Sequence, residues 1–419
     1  MKKKKLAFIL GIRPDIIRAV LIMKYLEKAK DIEVIFIWSG QHYSDNLKGI
    51  FFREFKMRKA DYELGCSGST DAEIAGKMIS RLYPLLEEIK PDAVAFLGDT
   101  NTTIGSVVPA MLNIPIIHVE GCWHSYDWRM PEEKFRTLTD HLADVIYTYE
   151  EEYKERGIAE GLNPANIVVT RNPIVDILNE FYYKQKGKLD KKANAAFFRK
   201  RGIQDGKYYL MTCHRRENVH IDESFDAILN LVANAEYPVF FPASYRTQRV
   251  MKERKLKLPQ NLIVVDPVGY EEILILMTHS KGILTDSGTI IEEASVLNIP
   301  AVQIRKSTER PQVYDVRGAV KFDPNQPNKY TPEIVFAKLA KITGTKWKHT
   351  FGDGKASERI ANDLIKRLRS GNLRGHLPEN SHLPIARSFS EDGIELGLAK
   401  STSKKDRSIK APLRRSGRA

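Results

Sequence analysis

Short apolar runs recur along the chain. Each is closed by Gly, Pro, Asn or Asp and followed by a segment whose apolar residues return with helical spacing. KLAFILG (Lys5 to Gly11) reads as a first strand and Ile16 to Ala29 as a first helix. Further strands are predicted at EVIFIWSG (Glu33 to Gly40), DAVAFLGD (Asp92 to Asp99), PIIHVEG (Pro115 to Gly121) and DVIYTYE (Asp144 to Glu150). After RNPIVDIL (Arg171 to Leu178) and a lysine-rich stretch the pattern restarts. It continues through YYLMTCHR (Tyr208 to Arg215), PVFFPAS (Pro238 to Ser244), LIVVDP (Leu262 to Pro267), GILTDSG (Gly282 to Gly288) and PAVQIR (Pro300 to Arg305). Strands alternating with helices predict parallel sheets in an α/β fold. The expectation is two Rossmann-like domains, 1–178 and 196–369, joined by a linker at 179–195 and facing a cleft. The last helix of the second is placed to pack back on the first. Open parallel sheets bind ligands at the carboxyl ends of their strands, so the chemistry should gather in that cleft.

Composition narrows the class. With 419 residues, 42% hydrophobic and 28% charged, the chain can fill two cores. No apolar run approaches the roughly 20 residues that span a bilayer, so no membrane partner is expected. The basic start MKKKK leads into a strand and a turn, not a cleavage site. Cys66, Cys122 and Cys213 form no CxxC pair, which argues against a metal site or a disulfide framework and suits the cytoplasm. The net charge of +13 is concentrated at Lys2 to Lys5, Lys184 to Lys192 and Lys400 to Ala419. No aromatic-interleaved basic motif accompanies these runs, so no nucleic-acid partner is expected. The segment 370–419 is polar and basic, with scattered Pro, Gly and Ser, and is expected to be a disordered tail.

The chemistry-bearing motifs all fall where a strand runs out. GIRPD places Arg13 in the turn before a helix, where a guanidinium can clamp a phosphate. GDTNTT puts Asp99 at a strand tip, as a helix cap or as a site carboxylate. HVEG carries Glu120 at the end of an apolar strand, where a carboxylate must be paired or used. PEEKFR adds Glu132 and Glu133 in the first turn of a helix. Asp99, Glu120 and Glu132 together could shift one another's pKa and divide acid and base roles. In the second half, His214 stands beside Arg215 and Arg216 in TCHRREN. TDSGTIIEE offers Ser287 and Gly288 at a helix amino terminus, with Glu293 farther along to accept from ribose hydroxyls, and TERP adds Arg310. Basic side chains around a helix amino terminus suit a diphosphate. Neither a GxxxxGK[ST] loop nor a GxGxxG turn is present, which weighs against P-loop phosphoryl transfer and nicotinamide binding.

In order, GIRPD, GQH (Gly40 to His42), GDTNTT, HVEG, RMPEEKFRTLTDHLADVIY, CHRREN, TDSGTIIEEA, TERP and FGDGKASERI resemble the motif series of the non-hydrolysing UDP-N-acetylglucosamine 2-epimerases. The resemblance runs from about Lys5 to Leu368. It implies a GT-B type fold, a UDP-sugar held by the second domain, no cofactor, no metal and a homodimer. It also implies inversion at carbon 2 of the sugar by elimination and re-addition of UDP, for surface polysaccharide precursors. The family's carboxylates map onto Asp99, Glu120 and Glu132. Its phosphate-side residues map onto Arg13, His214, Ser287, Gly288 and Arg310, and its ribose glutamate onto Glu293.

The departures from those motifs cluster around ligand-contacting loops. A lysine one turn into the first helix is Arg18. HVEAG with its following arginine becomes HVEGCWH, at Cys122, Trp123 and His124. DSGG is DSGT at Thr289, GHRREN is CHRREN at Cys213, and GNP is RNP at Arg171. An aromatic residue that stacks on uracil aligns with Ile273, and a histidine with Ser244. Such changes leave open a 2-epimerase of a modified UDP-sugar, such as a diacetamido uronic acid or a deoxy sugar. A GT-B glycosyltransferase is a further alternative.

Overall fold

The computed structural model describes residues 3–40 and 49–375, together with the backbone of two strands beyond them. Seven parallel strands form the first sheet: β1 (Lys4–Leu10), β2 (Ile32–Trp38), β3 (Tyr62–Glu63), β4 (Ala93–Leu97), β5 (Ile116–Val119), β6 (Val145–Thr148) and β7 (Ile167–Val169). Their order is β3-β2-β1-β4-β5-β6-β7. Six parallel strands form the second: β8 (Tyr209–Thr212), β9 (Val239–Pro242), β10 (Leu262–Val265), β11 (Gly282–Thr285), β12 (Ala301–Ile304) and β13 (Ala319–Phe322). Their order, β10-β9-β8-β11-β12-β13, repeats the same winding. In each sheet the order in which strands are added reverses once, between β1 and β4 in the first and between β8 and β11 in the second. Those two points are where doubly wound sheets bind ligands.

Central strands such as AVAFL and GILT are buried along their whole length, as parallel sheets covered on both faces require. Among the described residues no helix is long and apolar enough to cross a membrane. β3 and β7 are too short to give a period, and the AVKF of β13 alternates like an edge strand, so none of the three is legible in the pattern.

The first helix begins earlier than its apolar period suggests, at Arg13, and ends at Leu26. Pro14 presets the helical φ, and the Asp15 carboxylate accepts the backbone N–H groups of Gly11 (2.9 Å) and Ile12 (3.0 Å). Arg13 is therefore the first helical residue, not a turn residue. The lysine-rich stretch read as a linker is helical over Lys186–Lys192, with Leu189 buried and Lys188 and Lys192 both paired with Glu271.

The Ala356–Ser370 helix buries Ile360, Ala361, Leu364 and Leu368 and lies against the Arg13–Leu26 helix of the first domain. Asp176 holds its start by accepting the N–H groups of Ala356 (3.2 Å) and Ser357 (2.9 Å). Tyr147 donates to Asp363 at 2.8 Å, which fastens the same helix to β6. The chain thus crosses between the domains twice. Apart from this body, Ala386–Ser390 and Gly393–Gly397 pair as an antiparallel hairpin. The other residues from 376 onward, and Gln41 and His42 of the GQH motif, lie outside the described residues.

Candidate active site

The carboxyl ends of β1, β4 and β5 present Arg13, Asp99 and Glu120, and the Pro131–Leu142 helix brings Glu132 and Arg136 to the same place. Asp99 does not cap a helix. Thr100 caps the short 3₁₀ turn that follows, and the Asp99 carboxylate instead accepts from Arg136 at 2.5 Å. Arg136 also reaches both the backbone oxygen and the side chain of Glu120, each at 3.3 Å.

Glu120 sits at the centre of this group. Arg18 contacts its two carboxylate oxygens at 3.0 and 2.7 Å, and the Tyr149 hydroxyl donates to it at 3.2 Å. Both oxygens are occupied and the residue is only 2% exposed, so Glu120 orders two arginines here. Its φ of +71° and the +59° of Cys122 are left-handed, a conformation that costs such residues on the order of 1 kcal/mol or more each. A buried network holds that loop. Asp140 accepts from the Cys122 N–H (2.9 Å) and pairs with His118 (2.6 Å), whose other ring nitrogen meets the carbonyl of Gly98 (2.7 Å). His124 completes it, against Glu133 (2.7 Å) and Asp140 (3.2 Å). Burial works against the imidazolium, but Asp140 and Glu133 override it and push His124 up to about 9.

From the second domain, Asp286 accepts the backbone N–H groups of His214 and Arg215, each at 2.9 Å, and fixes the loop after β8. The His214 ring lies 3.3 Å from the same carboxylate and is half-exposed. Ser287 caps the Gly288–Leu297 helix, and the Arg310 guanidinium lies over its start. A Cβ on Gly288 would come within 2.5 Å of Arg310 Cζ, so only glycine lets that guanidinium approach. Arg310 pairs with Glu292 (2.5 Å) and Glu309 (2.8 Å). Glu293 accepts from the Tyr270 hydroxyl at 2.7 Å with one oxygen, while the other is buried without a hydrogen-bond partner. An unpaired buried acceptor is costly, and a hydroxyl donor from a ligand would satisfy it.

The two domains meet through these residues. Arg18 of the first reaches Thr289 (3.2 Å) and Glu292 (3.3 Å) of the second. Two of the motif departures, Arg18 and Thr289, therefore touch each other. Arg171 has a φ of +70°, which accounts for the glycine that the family motif carries there. Ile273, aligned with a stacking aromatic, is buried in the core.

The carboxyls are driven apart in acidity. Burial would raise Asp99, but the Arg136 guanidinium overrides it and holds Asp99 below its ordinary value. Burial raises Glu132, and the neighbouring Asp99 charge adds to the rise. Glu120 is also raised by burial, against the pull of Arg18 and Arg136. Loss of water lowers His214, with Asp286 opposing the shift. A low and a raised carboxyl side by side is the pattern of a base and an acid. Among the described residues, no group of three or more His, Cys, Asp or Glu side chains could hold a metal ion.

Every site residue predicted from sequence comes to this one region. Arg136, Tyr149, Asp286, Glu292 and Glu309 were not singled out, although each lies within or beside a quoted motif. A usable signal existed for Arg136, four residues after Glu132 on one helix face, and for Asp286 at a strand end.

Residues 24–365 match the model of the UDP-N-acetylglucosamine 2-epimerase family. The chain belongs to this family. It is 35% identical over 371 residues to the UDP-N-acetylglucosamine 2-epimerase of Methanocaldococcus jannaschii, covering 86% of this chain and 98% of that one. A UDP-2,3-diacetamido-2,3-dideoxy-D-glucuronate 2-epimerase of Pseudomonas aeruginosa is 30% identical over 379 residues, 86% of this chain and 99% of the relative. The M. jannaschii crystal structure in complex with UDP-GlcNAc and UDP superposes with a TM-score of 0.78 at 34% identity, covering 86% and 99% of the two chains. The Neisseria meningitidis epimerase bound to UDP-GlcNAc gives 0.74 at 28% identity, covering 86% and 100%. Membership in the epimerase family makes the fold GT-B and the chain an isomerase.

Proposed function

We propose that this epimerase interconverts UDP-N-acetylglucosamine and UDP-N-acetylmannosamine by elimination and re-addition of UDP. The observation that carries the reading is the meeting, through Arg18, of acidic side chains from the first domain with an arginine-covered helix amino terminus of the second. A base removes the proton on carbon 2 while the bond from carbon 1 to the diphosphate oxygen breaks. UDP leaves with the electron pair, and a double bond forms between carbons 1 and 2. Protonation of carbon 2 from the opposite face and return of the UDP oxygen to carbon 1 give the epimer.

Asp99, ionised beside Arg136, serves as base, and Glu132, raised by burial and by Asp99, carries the proton for the other face. Glu120 keeps Arg18 and Arg136 in register between them. Arg13, Arg18, His214, Ser287, Gly288, Thr289 and Arg310 receive the diphosphate, whose negative charge grows as the sugar bond breaks. Glu293 accepts from the ribose through its unpartnered oxygen.

The chain is 35% identical to the M. jannaschii epimerase of the parent sugar and 30% identical to the diacetamido-uronate enzyme, which favours the parent sugar. A cytoplasmic homodimer making precursors of surface polysaccharide completes the reading. Its test is incubation with UDP-N-acetylglucosamine, the epimer being resolved by proton NMR. Asp99→Asn and His214→Ala should each lower turnover by about 10²-fold or more, since one removes the base and the other a diphosphate contact. Normal rates in either variant would contradict the assignment.

A further inference from the structure

Trp123 is fully buried in the first domain, yet its ring faces an arginine of the second. The Arg310 Cζ lies 4.2 Å from the ring centroid, and the Arg18 Cζ lies 5.8 Å away. Tyr149 and Tyr153 also pack against the indole, with centroids at 4.8 and 5.5 Å. The Tyr153 hydroxyl donates to the backbone oxygen of Glu309 (2.8 Å), the residue before Arg310.

We propose that Trp123 is a positioning residue that fixes the guanidinium plane of Arg310 for the diphosphate. The proposal rests on the UDP-sugar reading above. Arg310 gives two of its five in-plane N–H groups to Glu292 and Glu309. A phosphate takes the remaining N–H groups or displaces one of those partners, and either changes the in-plane set. Contact with the face of an aromatic ring does not depend on which anion fills the N–H groups. The indole therefore keeps the guanidinium over Gly288 while its in-plane partners change.

UDP affinity measured by calorimetry and uridine affinity by NMR titration test this. Trp123→Leu should weaken UDP about tenfold while leaving uridine within about twofold, and Trp123→Phe should recover most of the loss. Retained uridine binding shows that the leucine variant is folded. In an Arg310→Lys background, which keeps the charge but not the plane, Trp123→Leu should add almost nothing to the loss. Unchanged UDP affinity in Trp123→Leu, equal weakening of UDP and uridine, or additive losses with Arg310→Lys would each overturn the proposal. If the wild-type protein binds no UDP, the UDP-sugar reading itself fails, and this inference with it.

Discussion

The site is built less from isolated catalytic side chains than from carboxylates whose environments differ. Asp99 faces an arginine, Glu132 faces Asp99, Glu120 is saturated, and Glu293 has one partner on two oxygens. Burial dominates Glu293 and raises it to about 7, with only Tyr270 and more distant arginines pulling it down. Because the folded chain holds this proton more tightly than the unfolded chain, its contribution to stability is complete below about pH 4.5 and is lost as pH rises through 7. Melting curves between pH 5 and 8 should show Glu293→Gln gaining on the wild type as pH rises, by at most about 3 kcal/mol. A constant gap across that range would mean that Glu293 is ionised throughout. Asp15, also raised to about 7, is present in both proteins and drops out of the comparison.

At the scale of elements, the sequence pattern located almost every strand that carries a motif, because central parallel strands are continuous apolar runs with sharp ends. It placed the first helix late, since Arg13, Pro14 and Asp15 are polar or helix-limiting by composition and helical only through the cap that Asp15 makes. The partner of each charge was not legible. Glu120 and Arg18 are 102 residues apart, and Arg18 and Glu292 are 274 apart, so no local spacing links them. The final helix illustrates the same limit. Its amphipathic face is plain in the sequence, but its cap comes from Asp176, at a distance of 180 residues. Asp176→Ala would leave two buried N–H groups without acceptors and should lower unfolding stability by about 1–3 kcal/mol in urea titrations, whereas a change under 0.5 kcal/mol would show that the helix start is held by packing alone.

Across the whole molecule, two sheets of the same winding each contribute strand-end residues to one site. One supplies proton-transfer groups and the other an anion seat, and neither half holds a complete site. Arg18, Trp123 and Tyr153 connect them directly, and three of the motif departures, Arg18, Trp123 and Thr289, fall at these contacts between domains, whereas Cys213 and Ile273 are buried in the cores. Such a division suits a reaction in which a sugar is cut from its diphosphate and rejoined without escaping. Incubating the enzyme with UDP-N-acetylglucosamine in deuterated water and reading carbon 2 by NMR tests that division most directly. The account predicts deuterium at carbon 2 in the recovered UDP-sugars, with incorporation abolished in Asp99→Asn. Epimer formation with the original hydrogen retained at carbon 2, or no exchange at all in the wild type, would contradict it.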